Sequence, residues 1–192
     1  MTLNGRAQLP DETTLLSAVV LDGIHPSCKP TAELLTQCDL RTQRRSGPGG
    51  QHRNKTSSGV FLVHRETGVV SEATERRSQA DNRRVALNRL RLKLAIEVRT
   101  RSPITKAICD QELELRVRLR DRRVRIASKH EDYPALCALL LNDLHFTGGQ
   151  PSLVSDQWGV GSSAIVRFLK SYPPLLLKVN AIRQHHDRLP LR

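Results

Sequence analysis

Between Arg44 and Thr56 the chain reads RRSGPGGQHRNKT, in which three glycines, a proline, a glutamine and a histidine lie among four cations with no acidic residue. Glycine loses too much backbone entropy, and proline removes a donor, for this stretch to sit inside a helix or strand. It is a loop, and the chemistry open to a cationic glycine loop is the recognition of phosphate. Lys55-Thr56 matches the end of the nucleotide-binding pattern G-x-x-x-x-G-K-[ST]. Asn54 stands where that pattern needs glycine, so the template fails and the loop calls for another polyanion.

The charge distribution points the same way. The 192 residues carry a net charge of +12, with a pI near 10.4. Residues 41–130 hold 23 Lys/Arg against 9 Asp/Glu, whereas the rest of the chain holds 8 against 10. Basicity concentrated in one segment is the footprint of phosphate-backbone binding. A membrane surface is the competing polyanion. The apolar runs are short, none approaches a transmembrane length, and the polar first ten residues do not resemble a secretory signal, so no membrane partner is expected. Cysteines 28, 38, 109 and 137 show no C-x-x-C pairing, which predicts reduced thiols in a cytoplasmic protein. Adjacent His185 and His186 would point about 100° apart on a helix, and no metal or other cofactor is expected.

Several elements must position the loop. Residues 1–30, with Pro10, Pro26 and Pro30, read as an extension that is at best partly ordered, with a short helix around Glu12–Leu21. Leu34-Leu35, Cys38 and Leu40 suggest a strand entering the loop. VFLVH (Val60–His64), turn chemistry at Arg65-Glu66-Thr67-Gly68, and VVSEA (Val69–Ala73) predict a β-hairpin leaving it. Ser78 can cap a long amphipathic helix that ends near Arg101 and Pro103. ELELRVRLRDRRVRIASKH (Glu112–His130) alternates apolar and basic residues, and periodicity leaves a basic hairpin and an irregular basic arm both open. Beyond Glu131, helices are expected at Pro134–Leu144, Pro151–Trp158, Ser162–Ser171 and Pro174–His186. Trp158-Gly159-Val160-Gly161-Ser162 is spaced like the turn of a helix-turn-helix. Trp158, Val160, Ile165, Val166 and Leu169 read as core.

Gly49-Gly50-Gln51, Asn54, Lys55-Thr56, the Thr67-Gly68 turn with its valines, and Arg77-Ser78-Gln79 opening a helix occur here in one order and spacing. Together they resemble the catalytic domain of class I peptide chain release factors and their ribosome-rescue relatives, over about residues 36–100. The resemblance implies an enzyme that hydrolyses the ester between nascent peptide and transfer RNA in the peptidyl-transferase centre. Gly49, Gly50 and Gln51 would be its catalytic residues. The Gln51 main-chain amide would stabilise the developing oxyanion and its side chain would orient water. The partners it implies are large-subunit ribosomal RNA and peptidyl-tRNA, with a monomer off the ribosome.

RNA contacts are then expected from Arg44, Arg45, His52, Arg53, Asn54, Lys55, Arg76 and Arg77. The segment after the helix adds Arg116, Arg118, Arg120, Arg122, Arg123 and Arg125. His52 is read as stacking or hydrogen-bonding to RNA, and Asn54 as fixing the loop base. The fold class expected is α+β: a small release-factor-type catalytic domain, a β-hairpin plus strand on a long helix, followed by a small all-α helix-turn-helix-like domain. The corresponding division is extension 1–30, catalytic domain 31–103, basic arm or linker 104–130 and helical domain 131–192.

Arg53 stands where relatives usually carry a small apolar residue. Only some 48 residues precede Gly49, which predicts codon-independent rescue of stalled ribosomes rather than stop-codon reading. A second GGQ, Gly148-Gly149-Gln150, lacks flanking cations and a hairpin and reads as a linker between helices. The rival readings are a non-catalytic ribosome- or RNA-binding protein with the same fold, and a DNA-binding regulator. The recognition helix of the latter, SSAIVRFLKS, offers only Arg167 and Lys170 as cations.

Overall fold

The computed structural model describes residues 9–43 and 58–192. Strands β2 (Cys38–Gln43), β3 (Gly59–His64) and β4 (Val70–Ala73) form an antiparallel meander in the order β2-β3-β4. The hairpin is in register from Val60↔Ala73 to Val63↔Val70, and Gly68 adopts φ +69° in its turn, a conformation that favours glycine. A second, minimal sheet pairs β1 (Val19–Val20) in parallel with β5 (Val98–Arg99). The architecture is mixed α and β, as expected.

Helix α1 (Thr31–Thr36) precedes the meander. Here the expectation of a strand through Leu34-Leu35 is corrected. Pro30 fixes the helix entry, Lys29 pairs with Glu33 at 3.3 Å, and the strand starts only at Cys38. The helix expected around Glu12–Leu21 is also absent. Asp11 caps a single 3₁₀ turn, Glu12–Thr14, and the chain then extends into β1. Residues 25–29 are packed rather than loose. His25, Pro26 and Ser27 are buried, and Ser27 exchanges hydrogen bonds with Arg91: its hydroxyl donates to the Arg91 carbonyl and its carbonyl accepts from the Arg91 guanidinium.

Helix α2 (Gln79–Glu97) is capped by the Ser78 hydroxyl, which accepts from the Asp81 amide. Its Ala86, Leu87, Leu90 and Leu94 cover one face of the meander, packing on Val60, Leu62 and Ala73. Ala95, with Leu92 and Ile96, belongs to a second core on its other side. The helix therefore divides two cores rather than carrying one apolar stripe. It stops at Glu97, four residues before the expected end. Arg99 is fully buried there and folds back to donate to the carbonyls of Ala95 and Ile96, neutralising the negative helix terminus.

The segment from 110 contradicts both expected forms. Helix α3 (Asp110–Asp121) replaces hairpin or arm. Leu113 and Val117 are exposed, and the buried positions are Glu112, Arg116 and Leu119, at helical spacing. Two charged residues carry the helical period, so an apolar count could not reveal it. Helices α4 (Tyr133–Phe146), α5 (Pro151–Trp158), α6 (Ser162–Lys170) and α7 (Pro173–His185) follow close to the expected bounds. Every residue of α4 is buried, which makes it the axis around which α2 and the later helices pack. Trp158, Ile165 and Leu169 are core, while Val160 and Val166 are half-buried.

The second GGQ is a helix stop. Gly148 and Gly149 adopt φ +61° and +72° after α4, and the Gly149 amide donates to the Leu144 carbonyl at 2.6 Å. A Cβ on Gly149 would meet the Arg183 side chain, whose Nη1 donates to the Gly149 carbonyl at 2.7 Å.

Two buried histidines make the fold sensitive to acid. His25 accepts from the Ser27 amide at Nδ1, and its Nε2 lies 3.3 Å from the Val98 carbonyl, the pattern of a neutral ring. Burial, then the Arg99 charge, lowers its pKa from 6.5 to about 3. Burial, Arg99 and Lys178 lower that of His145 to about 4. The unfolded chain therefore binds protons below pH 6.5 that the native state refuses. This stability is full above 6.5 and is lost as pH falls toward the folded values. Each histidine is expected to cost roughly 2 kcal/mol between pH 7 and pH 5. Urea unfolding of wild type and His145→Phe at both values checks this, and equal acid losses in the two proteins would refute the assignment to His145.

Candidate functional site

The glycine-loop residues Arg44, Arg45, Gly49, Gly50, Gln51, His52, Arg53, Asn54 and Lys55 lie outside the described residues. What is described is the base from which that segment leaves and to which it returns. Gln43, the last residue of β2, is the register partner of Gly59, the first of β3. A Cβ on Gly59 would stand 3.1 Å from the Gln43 carbonyl and 3.2 Å from Thr74 Cγ2, so glycine allows the two strand ends to close.

Asn82 secures this base. Fully buried in the first turn of α2, it donates through Nδ2 to the carbonyls of Ser58 at 2.6 Å and Arg76 at 2.9 Å. Its Oδ1 accepts from the Arg76 amide at 2.9 Å. One side chain thus joins the returning end of the loop, the turn before α2 and the helix itself. Arg76 and Arg77 are exposed on that turn, so the structure brings these two expected RNA contacts to the loop base. A brace lies behind them: Arg89 holds Glu75 at 2.7 and 3.3 Å and also donates to the Glu72 carbonyl. Sequence reasoning missed Asn82 and Gly59. The available signal was a polar residue four positions after a helix cap, on the face that α2 buries.

Asn82→Ala would leave two carbonyls and one amide without partners in a buried site. A loss of about 2–4 kcal/mol is expected, from unsatisfied groups at about 1–3 kcal/mol each with partial relaxation. Thermal unfolding measures it, and a change below 0.5 kcal/mol would show that Asn82 is not the clamp.

Beside the base, a cleft of about 540 Å³ opens between α1, the meander and the first half of α2. Leu35, Leu40 and Leu87 line it together with Arg83 and Arg84, and no carboxylate, histidine or thiol does. General acid–base chemistry is therefore not supplied by the described residues at this place.

The expected contacts after α2 divide. Arg116 is corrected: it is buried, with Nε 2.9 Å from Glu112 Oε1 and Nη1 2.9 Å from Asp143 Oδ2. Burial opposes its charge, but Asp143 and Glu112 outweigh it and hold the guanidinium pKa above its ordinary value. It ties helices together and presents nothing to RNA. Arg118 is exposed and bonded to Asp132 at 2.8 Å, and exposed Arg120 lies across Gly159. Arg122, Arg123 and Arg125 are exposed in the turn after α3.

The sequence pattern of the RF-1 domain matches residues 35–133, which takes in the meander, the loop, α2 and α3. A mitochondrial peptide chain release factor 1-like protein of Rattus norvegicus is 38% identical over 89 residues, 45% of this chain and 24% of the relative. Peptide chain release factor 2 of Lactiplantibacillus plantarum is 57% identical over 51 residues, 27% of this chain and 14% of the relative. Peptide chain release factor 1 of Ureaplasma parvum is 48% identical over 59 residues, 31% and 16%. The chain thus spans a quarter or less of the length of these relatives. With a match across more than half of its residues, supported by the loop sequence that precedes the hairpin, the hairpin and the capped helix after it, the chain belongs to the family defined by the RF-1 domain.

Proposed function

We propose that the protein hydrolyses the ester between nascent peptide and transfer RNA in the peptidyl-transferase centre, on stalled ribosomes and without reading a codon. One observation carries this reading. The segment that contains Gly49-Gly50-Gln51 springs from paired strand ends, Gln43 and Gly59, that Asn82 fixes to the capped end of α2. A rigid base is what a loop needs to deliver backbone donors into a narrow RNA cavity.

In this mechanism Gly49 and Gly50 allow close approach, and the Gln51 amide donates to the carbonyl oxygen as negative charge builds on it. Water attacks the carbonyl carbon, the bond to the ribose oxygen breaks as that oxygen takes one water proton, and the peptide leaves as its carboxylate while the other proton passes to solvent. Arg76 and Arg77 at the base, with Arg44, Arg45, Arg53 and Lys55 in the loop, contact ribosomal RNA phosphates. The protein acts as a monomer in the cytoplasm. No described helix is long and apolar enough to cross a membrane.

The family match stops at 133, and the last third packs against α2 and α3 in the second core. The test is release of labelled peptide from ribosomes stalled on messenger RNA without a stop codon, beside ribosomes halted at one. Release only at the stop codon would overturn the rescue reading. Binding without release in both would favour the non-catalytic RNA-binding alternative.

A further inference from the structure

We infer that the turn after α3 and helix α6 together form a second RNA-backbone site, remote in sequence from the glycine loop. The inference rests on the reading of the chain as a ribosome-directed protein and joins arginines expected to contact RNA after α2 to helix α6, to which that reading gives no role. Arg123 and Arg125 from the turn and Arg167 from α6 line one groove of about 270 Å³, with Ile126 and Phe168 beneath them. Val124 and Ile126 are buried in the helical core while Arg122, Arg123 and Arg125 stand out to solvent. The helix whose two cations were too few for groove reading thus shares its arginine with a neighbouring element.

The backbone indicates that this arrangement is held in place. Arg123 and Val124 both adopt positive φ, +48° and +59°, and a β-branched residue in the left-handed region is rare and costly. The turn is closed by the Arg123 amide on the Arg120 carbonyl at 2.8 Å and the Arg125 amide on the Arg122 carbonyl at 2.9 Å. Core burial of Val124 and Ile126 holds the strained turn, and its outcome is a row of outward guanidinium groups.

Charge selects the occupant. No carboxylate lines the groove, and the side chains of Arg123, Arg125 and Arg167 make no hydrogen bond or ion pair among the described residues. By contrast Arg118, one turn earlier, is already engaged by Asp132. Three unengaged guanidinium groups from two elements, converging without an acid, match the repeating phosphates of an RNA strand, which arginine binds through its planar fork.

The experiment compares wild type with the triple variant Arg123→Gln/Arg125→Gln/Arg167→Gln and with the corresponding triple Arg→Lys variant. Binding to purified large ribosomal subunits and to a labelled ribosomal RNA fragment is measured across a salt series. The Gln variant is expected to bind both at least 10-fold more weakly, with the logarithmic salt slope reduced by roughly 2 at about 0.7–0.9 per phosphate. The Lys variant, which keeps the charges, is expected to keep the slope and so separates charge loss from misfolding. Unchanged affinity and slope in the Gln variant would overturn the site. Weakened subunit binding with unchanged binding to the RNA fragment would overturn it too, because the partner would then be a ribosomal protein. Peptide release at saturating Gln variant keeps the two readings apart. If wild type binds and never releases while the slope still falls, the groove stands and the hydrolase reading fails; if release persists with an unchanged slope, only the groove fails.

Discussion

Gly50→Ala is expected to slow peptide release by roughly 10²–10³, about 3–4 kcal/mol, while leaving ribosome binding nearly intact. The added Cβ would stand where the backbone approaches the ester and would turn the next amide, that of Gln51, away from the developing oxyanion. The loss falls on the transition state and not on the ground state, so kcat drops with little change in affinity. Gly149→Ala is the matched control, a glycine in the same tripeptide with a different task. At φ +72° and against Arg183 it is expected to destabilise the fold by about 1–2 kcal/mol or more and to leave release per folded molecule unchanged. Single-turnover release with sedimentation binding separates the two effects. If Gly149→Ala abolishes release and Gly50→Ala does not, the chemistry belongs to the other loop.

The contrast between these two tripeptides illustrates what the sequence could reveal. Cations and a following hairpin mark one as the expected ligand loop, which lies outside the described residues; a helix before and Pro151 after mark the other as a stop, and there the structure agrees. The hairpin, the Ser78 cap and all four helices after Glu131 were legible because their signals are local: turn residues, caps and apolar spacing. The failures share a cause. Leu34-Leu35 read as strand because two leucines do not report a period, and Pro30 decided the matter. Glu112–Asp121 reads as alternating because two of its three buried positions are charged, and only partners on α4 reveal why charge is tolerated there. Arg116 was misassigned for that reason, since a run of arginines does not say which one folds inward. Asn82 was invisible because its partners lie six and 24 residues away in the chain.

Asp143→Ala is expected to cost about 3–5 kcal/mol of folding stability, the usual result of removing one partner from a buried ion pair. Fully buried on α4, Asp143 accepts four hydrogen bonds. Two come from Arg116 at 2.9 and 3.1 Å, one from the Ser102 hydroxyl at 2.7 Å and one from Trp158 Nε1 at 2.8 Å. The Arg116 guanidinium also lies over the Trp158 ring, 5.6 Å from its centroid. One carboxylate thus ties α3, α4, α5 and the chain after β5. Without it, Arg116 keeps only Glu112, and an indole N–H and a hydroxyl are stranded in the core. Against a typical total of 5–15 kcal/mol the loss is large enough to depopulate the native state on mild heating. Arg118→Gln, at the exposed pair with Asp132, should cost under about 1 kcal/mol. Urea unfolding of both variants tests the contrast, and a loss below 1 kcal/mol for Asp143→Ala would mean that the cluster does not hold the helices. The same logic separates two arginines that sequence places in one run. Arg116→Gln should lower stability and leave the salt dependence of ribosome binding unchanged in the protein that remains folded. Arg123→Gln should do the reverse, because Arg116 meets its counter-charge inside the fold and Arg123 meets none there.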